Sequence, residues 1–291
     1  MCGIVGLFLK DKSLQGALGG MLTEMLVTMS DRGPDSAGIA VYRGADDGQV
    51  KITVQSANPA TDFEGLAGEL GADVTIIDTH AIVSCSPAEA DAIRAKIKAR
   101  PQLRVMSAGD AIEIYKEVGL PGSVAERFDI PRLQGSHGIG HTRMATESAV
   151  TTLGAHPFST GPDQCLVHNG SLSNHNSLRR KLARQGVEVE TENDTEVAAA
   201  YLTWKMQQGA NLGEALEAGI DDLDGFYTFV VGTKQGFGVL RDPIACKPAV
   251  LAETEQYVAF GSEYRALVNL PNIETARVWE PEPATVYFWE H

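Results

Sequence analysis

Cys2 carries the most reactive side chain near the start of the sequence, in the stretch Met1-Cys2-Gly3-Ile4-Val5-Gly6-Leu7-Phe8. A small residue after an initiator Met lets an aminopeptidase remove that Met, leaving Cys2 with a thiol and a free amine on one backbone unit. A free α-amino group titrates near ~8 and a thiol near ~8.5, so such an amine can take the thiol proton, directly or through a water. No His is then required as base. The plain alternative is a Cys that packs as a small hydrophobe.

Other stretches hold further candidate groups. His168-Asn169-Gly170 contains a pair that favours positive φ, which alone reads as a hairpin turn. Asp194, in Glu192-Asn193-Asp194-Thr195-Glu196, opens a helix as a cap or first-turn carboxylate worth roughly 1 kcal/mol. His137 and His141 stand four apart, as metal ligands on a helix would, but Gly138 and Gly140 between them disfavour a helix, and no metal site is expected. Cys2, Cys85, Cys165 and Cys246 form no CxxC and no cluster, which argues against a disulfide framework or a zinc site.

An N-terminal Cys-Gly-Ile-Val-Gly is followed in order by Ser30-Asp31-Arg32-Gly33-Pro34-Asp35-Ser36-Ala37-Gly38, Gly138-Ile139-Gly140-His141-Thr142-Arg143-Met144-Ala145-Thr146, His168-Asn169-Gly170-Ser171-Leu172, the Asp194 stretch, and Leu223-Asp224-Gly225-Phe226-Tyr227. In this order the blocks resemble the class II glutamine amidotransferases of the N-terminal-nucleophile (Ntn) hydrolase superfamily. The resemblance spans Cys2 to about Gln55 and about Ile112 to Ala266. It implies Cys2 as nucleophile, its amine as base and then acid, and Asn169 with Gly170 as oxyanion hole. It also implies Arg143 on the α-carboxylate of glutamine, Asp194 on its α-ammonium, Thr146 lining the same pocket, and Arg32 holding the catalytic turn. Met144 replaces a frequent aromatic residue, and Glu147-Ser148 replace the His-Gly of sugar-amidating members, which argues against an aminosugar synthase.

Ammonia released into water is protonated and lost, so the chemistry needs an acceptor site nearby, and no acceptor module follows the amidotransferase blocks. The expectation is a subunit that feeds a glutamate-synthase-like partner. Within the class the chain is most similar to the amidotransferase subunits of such complexes, the N-methylglutamate synthase group among them. FMN and iron-sulfur are then expected on partner subunits, and no cofactor in this chain. The competing class is a non-catalytic glutamine sensor or scaffold that keeps Met1.

Composition bounds these readings. Of the 291 residues, 43% are hydrophobic and 21% charged, values of a folded globular protein. A net charge of -14 disfavours nucleic acid and anionic membrane surfaces. No signal peptide or spanning segment is evident, and a cytoplasmic protein is expected.

The elements that must position the candidates follow from periodicity. Leu18, Met21, Leu22, Met25, Leu26 and Met29 form the stripe of an amphipathic helix, broken at Gly33-Pro34 so that Arg32 falls on a loop. Helices are expected over 173–185, from Asp194 to about 209, and over 212–220. Strands are expected at 36–43, 111–118 and, as an antiparallel meander, between 227 and 261. Val74 to Val83 reads as a strand, Pro87 to Ala99 as a helix and Leu103 to Met106 as a strand. The fold expected is α+β, a four-layer αββα sandwich with a small βαβ insertion. The amidotransferase domain would run over 2–270, with the insertion at about 56–110 and a tail at 271–291 that wraps the surface or docks onto a partner.

Overall fold

Side-chain alternation along the strands decides the architecture. In a computed structural model, which describes residues 2–44, 48–145 and 149–291, β1 (Gly3–Leu9) sends Val5, Leu7 and Leu9 to one side and Ile4 and Phe8 to the other. Both faces are buried, so this strand lies between layers. It is central in a seven-stranded sheet ordered β15 (Arg277–Trp279), β13 (Val250–Glu253), β14 (Tyr257–Gly261), β1, β8 (His137–Arg143), β2 (Ser36–Tyr42), β7 (Ile112–Val118). Facing it is a five-stranded sheet ordered β16 (Val286–Glu290), β12 (Gly236–Arg241), β11 (Gly225–Gly232), β10 (Gln164–Leu172), β9 (Phe158–Gly161). The pairings in both are antiparallel.

Ile4, Phe8, Tyr42 and Ile139 of the first sheet meet Cys165, Val167, Val230 and Phe237 of the second in one core. The outer face of the first sheet is covered by α1 (Leu18–Thr28) and α5 (Pro121–Arg127), through Leu22, Met25, Leu26 and Val124. Gly138 and Gly140 make the α1 contact possible, since a Cβ on Gly138 would stand 2.4 Å from Leu22 Cδ1. The outer face of the second sheet is covered by α6 (His175–Arg184), α7 (Asp194–Gln207) and α8 (Leu212–Asp222). Helices, sheet, sheet, helices is the αββα sandwich expected.

Three expectations change in detail. Val74 to Val83 is a hairpin of β4 (Asp73–Ile77) and β5 (His80–Cys85), turned at Asp78 with φ 55°. These strands join β3 (Val50–Ser56) and β6 (Leu103–Gly109) in a sheet ordered β4-β5-β3-β6. With α2 (Pro59–Asp62), α3 (Leu66–Leu70) and α4 (Ala90–Lys98), that sheet encloses its own core of Ile52, Val54, Leu66, Val83, Ile93 and Ile97. The strand-helix-strand unit β5-α4-β6 is present, with β3 paired antiparallel to both of its strands and lying between them. The separate sheet therefore starts at Val50 and not near residue 56. The strands between 225 and 261 are two hairpins in different sheets, since β12 pairs with β11 whereas β13 pairs with β14. The segment after 271 adds β15 and β16, one edge strand to each main sheet.

Candidate active site

Cys2 immediately precedes β1 and is half-buried. Its carbonyl oxygen accepts hydrogen bonds from Arg32 Nε at 3.0 Å and from Asn169 Nδ2 at 3.4 Å. Arg32 lies in a 3-10 turn, Ser30–Arg32, directly after α1. Its buried guanidinium also pairs through Nη1 with Glu263, whose other oxygen lies 2.7 Å from Arg265 Nε. The Arg32 hydrogen bond holds the Glu263 carboxyl below the usual carboxylate range. Next to it, Ser262 brackets the start of β1: Ile4 N donates to Ser262 Oγ and Ser262 N donates to Ile4 O, both at 2.9 Å.

The block that supplies Arg32 also braces Arg143. A Cβ on Gly33 would stand 2.5 Å from the Thr142 carbonyl carbon, so only glycine lets this turn lie on the strand beside Arg143. Asp35 N donates to Arg143 O at 3.1 Å, and Asp35 Oδ2 accepts from Ala145 N at 2.8 Å. Arg143 ends β8, is buried, and donates from Nη1 to Ala149 O at 3.4 Å. Thr146, expected in the same pocket, lies outside the described residues.

Asn169 and Gly170 are not a turn. They sit inside β10, opposite Thr228 and Tyr227 of β11. Gly170 has φ 151°, and a Cβ there would stand 2.0 Å from Phe226 O. Positive φ is what the Asn-Gly pair signalled, but it serves a local distortion in a strand. Asn169 is buried, and its amide is tied to Cys2.

Asp194 is the first residue of α7, and the cap is its neighbour Asn193, whose side chain accepts from Thr195 N. Asp194 Oδ2 accepts from Leu172 N at 2.9 Å, and Oδ1 lies 3.7 Å from His168 Nδ1. Burial pushes this carboxyl up, but the His168 hydrogen bond and charge and the Leu172 N–H outweigh it and bring the pKa down to about 2. Asp194 is thus a carboxylate at neutral pH.

Direct contacts join Cys2, Arg32 and Asn169, while Asp194 attaches two residues beyond Gly170. Sequence reading missed Ser262 and Glu263, which act on the chain start from about 260 positions away. Among the described residues no group of three or more His, Cys, Asp or Glu could hold a metal, and no helix is long and apolar enough to cross a membrane.

The layers and the buried N-terminal strand define the N-terminal-nucleophile fold. A glutamine phosphoribosylpyrophosphate amidotransferase from B. subtilis matches with a TM-score of 0.65 at 19% identity, over 99% of this chain and 47% of that one. The chain spans about half the length of that enzyme, and the likeness concerns the fold. In sequence, a family described as "Glutamine amidotransferase domain" matches residues 141–269. "Glutamine amidotransferase-like protein GlxB" of Rhizobium meliloti (strain 1021) is 67% identical over 100% of this chain and 99% of its own length. A "Putative glutamine amidotransferase" of Methanothermobacter thermautotrophicus is 34% identical over the whole of both chains. "Glutamine--fructose-6-phosphate aminotransferase [isomerizing]" of Vibrio vulnificus (strain YJ016) is 36% identical over 40% of this chain and 19% of that one. The chain belongs to the class II glutamine amidotransferase family.

Proposed function

We propose that the protein hydrolyses glutamine to glutamate and ammonia through a thioester on Cys2, after removal of Met1. The observation that carries this reading is the grip of Arg32 and Asn169 on the Cys2 carbonyl, which ties the start of the chain to the Asn169-Gly170 strand. Arg143 binds the α-carboxylate of glutamine, for which a planar guanidinium offers a bidentate fit. Asp194, held ionised, accepts from the α-ammonium. The Cys2 amine takes the thiol proton, and the thiolate attacks the side-chain amide carbon. The Asn169 amide and the Gly170 N–H stabilise the oxyanion, donors of a kind worth about 3 to 4 kcal/mol. The amine returns its proton to the departing ammonia, and water then cleaves the thioester to glutamate. Arg32 is a positioning residue.

The nitrogen passes to a glutamate-synthase-like partner of the N-methylglutamate synthase type, with FMN and iron-sulfur on the partner subunits. Supporting this are the resemblance of the blocks to such subunits and the two amidotransferase relatives matched over essentially their whole length. Intact mass of the purified protein and a glutamate-release assay on wild type and Cys2→Ala test the chemistry. Loss of Met1, with glutamate release that Cys2→Ala abolishes, is expected; release undiminished in Cys2→Ala overturns it. Copurification of a flavin-containing and iron-sulfur-containing partner tests the assignment of the acceptor.

A further inference from the structure

Beneath the candidate site lies a group of buried polar side chains that the hydrolysis steps do not use. His141 points from β8 into the interface between the two sheets, and His141 Nε2 lies 3.1 Å from the carbonyl oxygen of His168 on β10. A carbonyl oxygen can only accept, so Nε2 carries the proton and the tautomer of His141 is set. The ring of His156 stacks on His141 with centroids 4.0 Å apart. His156 Nε2 is 2.7 Å from Thr195 Oγ1, and Thr195 Oγ1 is 3.1 Å from His168 Nδ1. Thr195 Oγ1 also lies 3.5 Å from Asp194 Oδ1, and because the hydroxyl owns one proton it donates to one of these neighbours and accepts from an imidazole N–H among the others. His141, His156, Thr195 and His168 therefore close a ring that crosses between the sheets.

The position of this ring gives it a use. His141 lies opposite Ile4 of β1, two residues after Cys2, and two residues before Arg143. His168 directly precedes Asn169, and a Cβ on Gly170 would stand 2.8 Å from His168 Nε2. Thr195 directly follows Asp194. Dispersion contacts between packed sheets have little directional preference, whereas a hydrogen bond across the gap fixes a distance.

We propose that His141, His156, Thr195 and His168 are positioning residues that set the separation between the Cys2 strand and the Asn169-Gly170 strand, and with it the space in which the tetrahedral intermediate forms. The proposal rests on the glutaminase reading above. Apolar side chains would fill the same volume at lower cost, because a buried polar group is unfavourable unless partnered. Three ring nitrogens here, His141 Nδ1, His156 Nδ1 and His168 Nε2, have no hydrogen-bond partner among the described residues. The charged groups around the ring are Arg143, Lys116 with Glu196 behind it, and Asp194 on the His168 side. Burial first, then the neighbouring histidines and cations, keep His156 well below its ordinary pKa.

Thr195→Val removes the hydroxyl at nearly constant shape, and Thr195→Ser restores it. In the full chain, Thr195→Val is expected to lower kcat for glutamine by about a hundredfold, the order that an ångström-scale displacement produces, with KM changed by less than about threefold. Thr195→Ser is expected to return kcat to within about threefold of wild type. Nitrogen-15 NMR of the histidine rings in Cys2→Ala is expected to show His141 neutral with its proton on Nε2 from about pH 5 to 8. Thr195→Val at wild-type kcat, while Cys2→Ala is inactive, would overturn the ring and leave the glutaminase reading in place. A His141 proton on Nδ1, or a charged His141 at about pH 6, would overturn the ring whatever the activity. Glutamate release surviving in Cys2→Ala would overturn the glutaminase reading first, with the tautomer still on record.

Discussion

Arg32 donates from Nε to the carbonyl oxygen of Cys2 at 3.0 Å while its Nη1 is paired with Glu263. One guanidinium thus spans the first residue that can act as nucleophile and a carboxylate 261 positions later in sequence. Because the guanidinium is a rigid planar fork, fixing one end fixes the other. Glu263 in turn is shared with Arg265, so the carboxylate that aims Arg32 is itself held on both oxygens.

Glu263→Ala should therefore injure the reaction from outside it. A charge-assisted hydrogen bond of this kind contributes about 1.5–3 kcal/mol, so kcat for glutamine should fall by roughly 10- to 100-fold. KM should change little, since the glutamine contacts proposed for Arg143 and Asp194 are untouched. Steady-state kinetics of Glu263→Ala beside Glu263→Gln, which keeps one acceptor and should lose less, checks this; equal kcat in all three proteins would exclude the aiming role.

How far the sequence alone could carry this picture depended on range. The break at Gly33-Pro34 made the loop position of Arg32 readable, whereas the seating of Gly33 on the Thr142-Arg143 backbone and the Asp35 hydrogen bond to Arg143 join segments more than 100 residues apart and left no local pattern. The positive φ of Gly170 was readable but its place was not, because a glycine with positive φ looks the same in a hairpin turn and in a distorted strand. The run from Val74 to Val83 hid a hairpin, since apolar residues continue on both sides of Asp78-Thr79 and only the left-handed Asp78 marks the bend. Ser262, Glu263 and the Thr195 hydroxyl left no local pattern, because their partners come from elements far away in sequence.

Gly170→Ala should separate geometry from chemistry at the expected oxyanion hole. At φ 151°, with Phe226 O 2.0 Å from the new Cβ, the alanine cannot be accommodated without moving β10 or β11. Backbone strain of this kind costs about 1–3 kcal/mol, and loss of one aimed donor lowers kcat by about 100- to 1,000-fold. Urea unfolding and kinetics on the same preparation should show the activity loss far exceeding the stability loss. A variant that keeps its activity would remove Gly170 from the site.

Acid should destabilise the fold through buried neutral histidines well before it protonates Asp194. Burial, as the largest cause, brings His80, His137 and His141 each down to about 3. Between that value and the unfolded pKa near ~6.5 the unfolded chain binds a proton that the folded chain refuses, so stability rises with pH. It is fully present above the unfolded value and falls by up to about 1.4 kcal/mol per pH unit for each histidine below it. Asp194, brought down to about 2, contributes stability present above the ordinary carboxylate pKa and lost only as pH falls through that lower value. Urea midpoints at about pH 7, 6 and 5 should decline steadily, while the KM for glutamine stays level over the same range. A flat stability profile would contradict the buried neutral state of these rings.

The seam between the inserted sheet and the amidotransferase body is held by an ion pair that should show its worth only when broken on one side. Lys51 Nζ, on β3, lies 2.8 Å from Glu113 Oε1 on β7, and Arg43 Nε lies 2.6 Å from the same oxygen, while Tyr115 donates to Glu113 Oε2. Burial alone would raise the Glu113 carboxyl, but Lys51 and Arg43 more than offset it and hold it below the usual range. Lys51→Met removes the buried cation but leaves Arg43 and Tyr115 on the carboxylate, so the loss should stay below the ~3–5 kcal/mol of a buried charge left with no partner. Replacing both partners, Lys51→Met with Glu113→Leu, should recover much of the loss, because the desolvation of two charges is then avoided. A double-mutant cycle by urea unfolding decides between these outcomes. If the double variant is destabilised by the sum of the single losses, the pair is not coupled and the insertion is held to the body by other contacts.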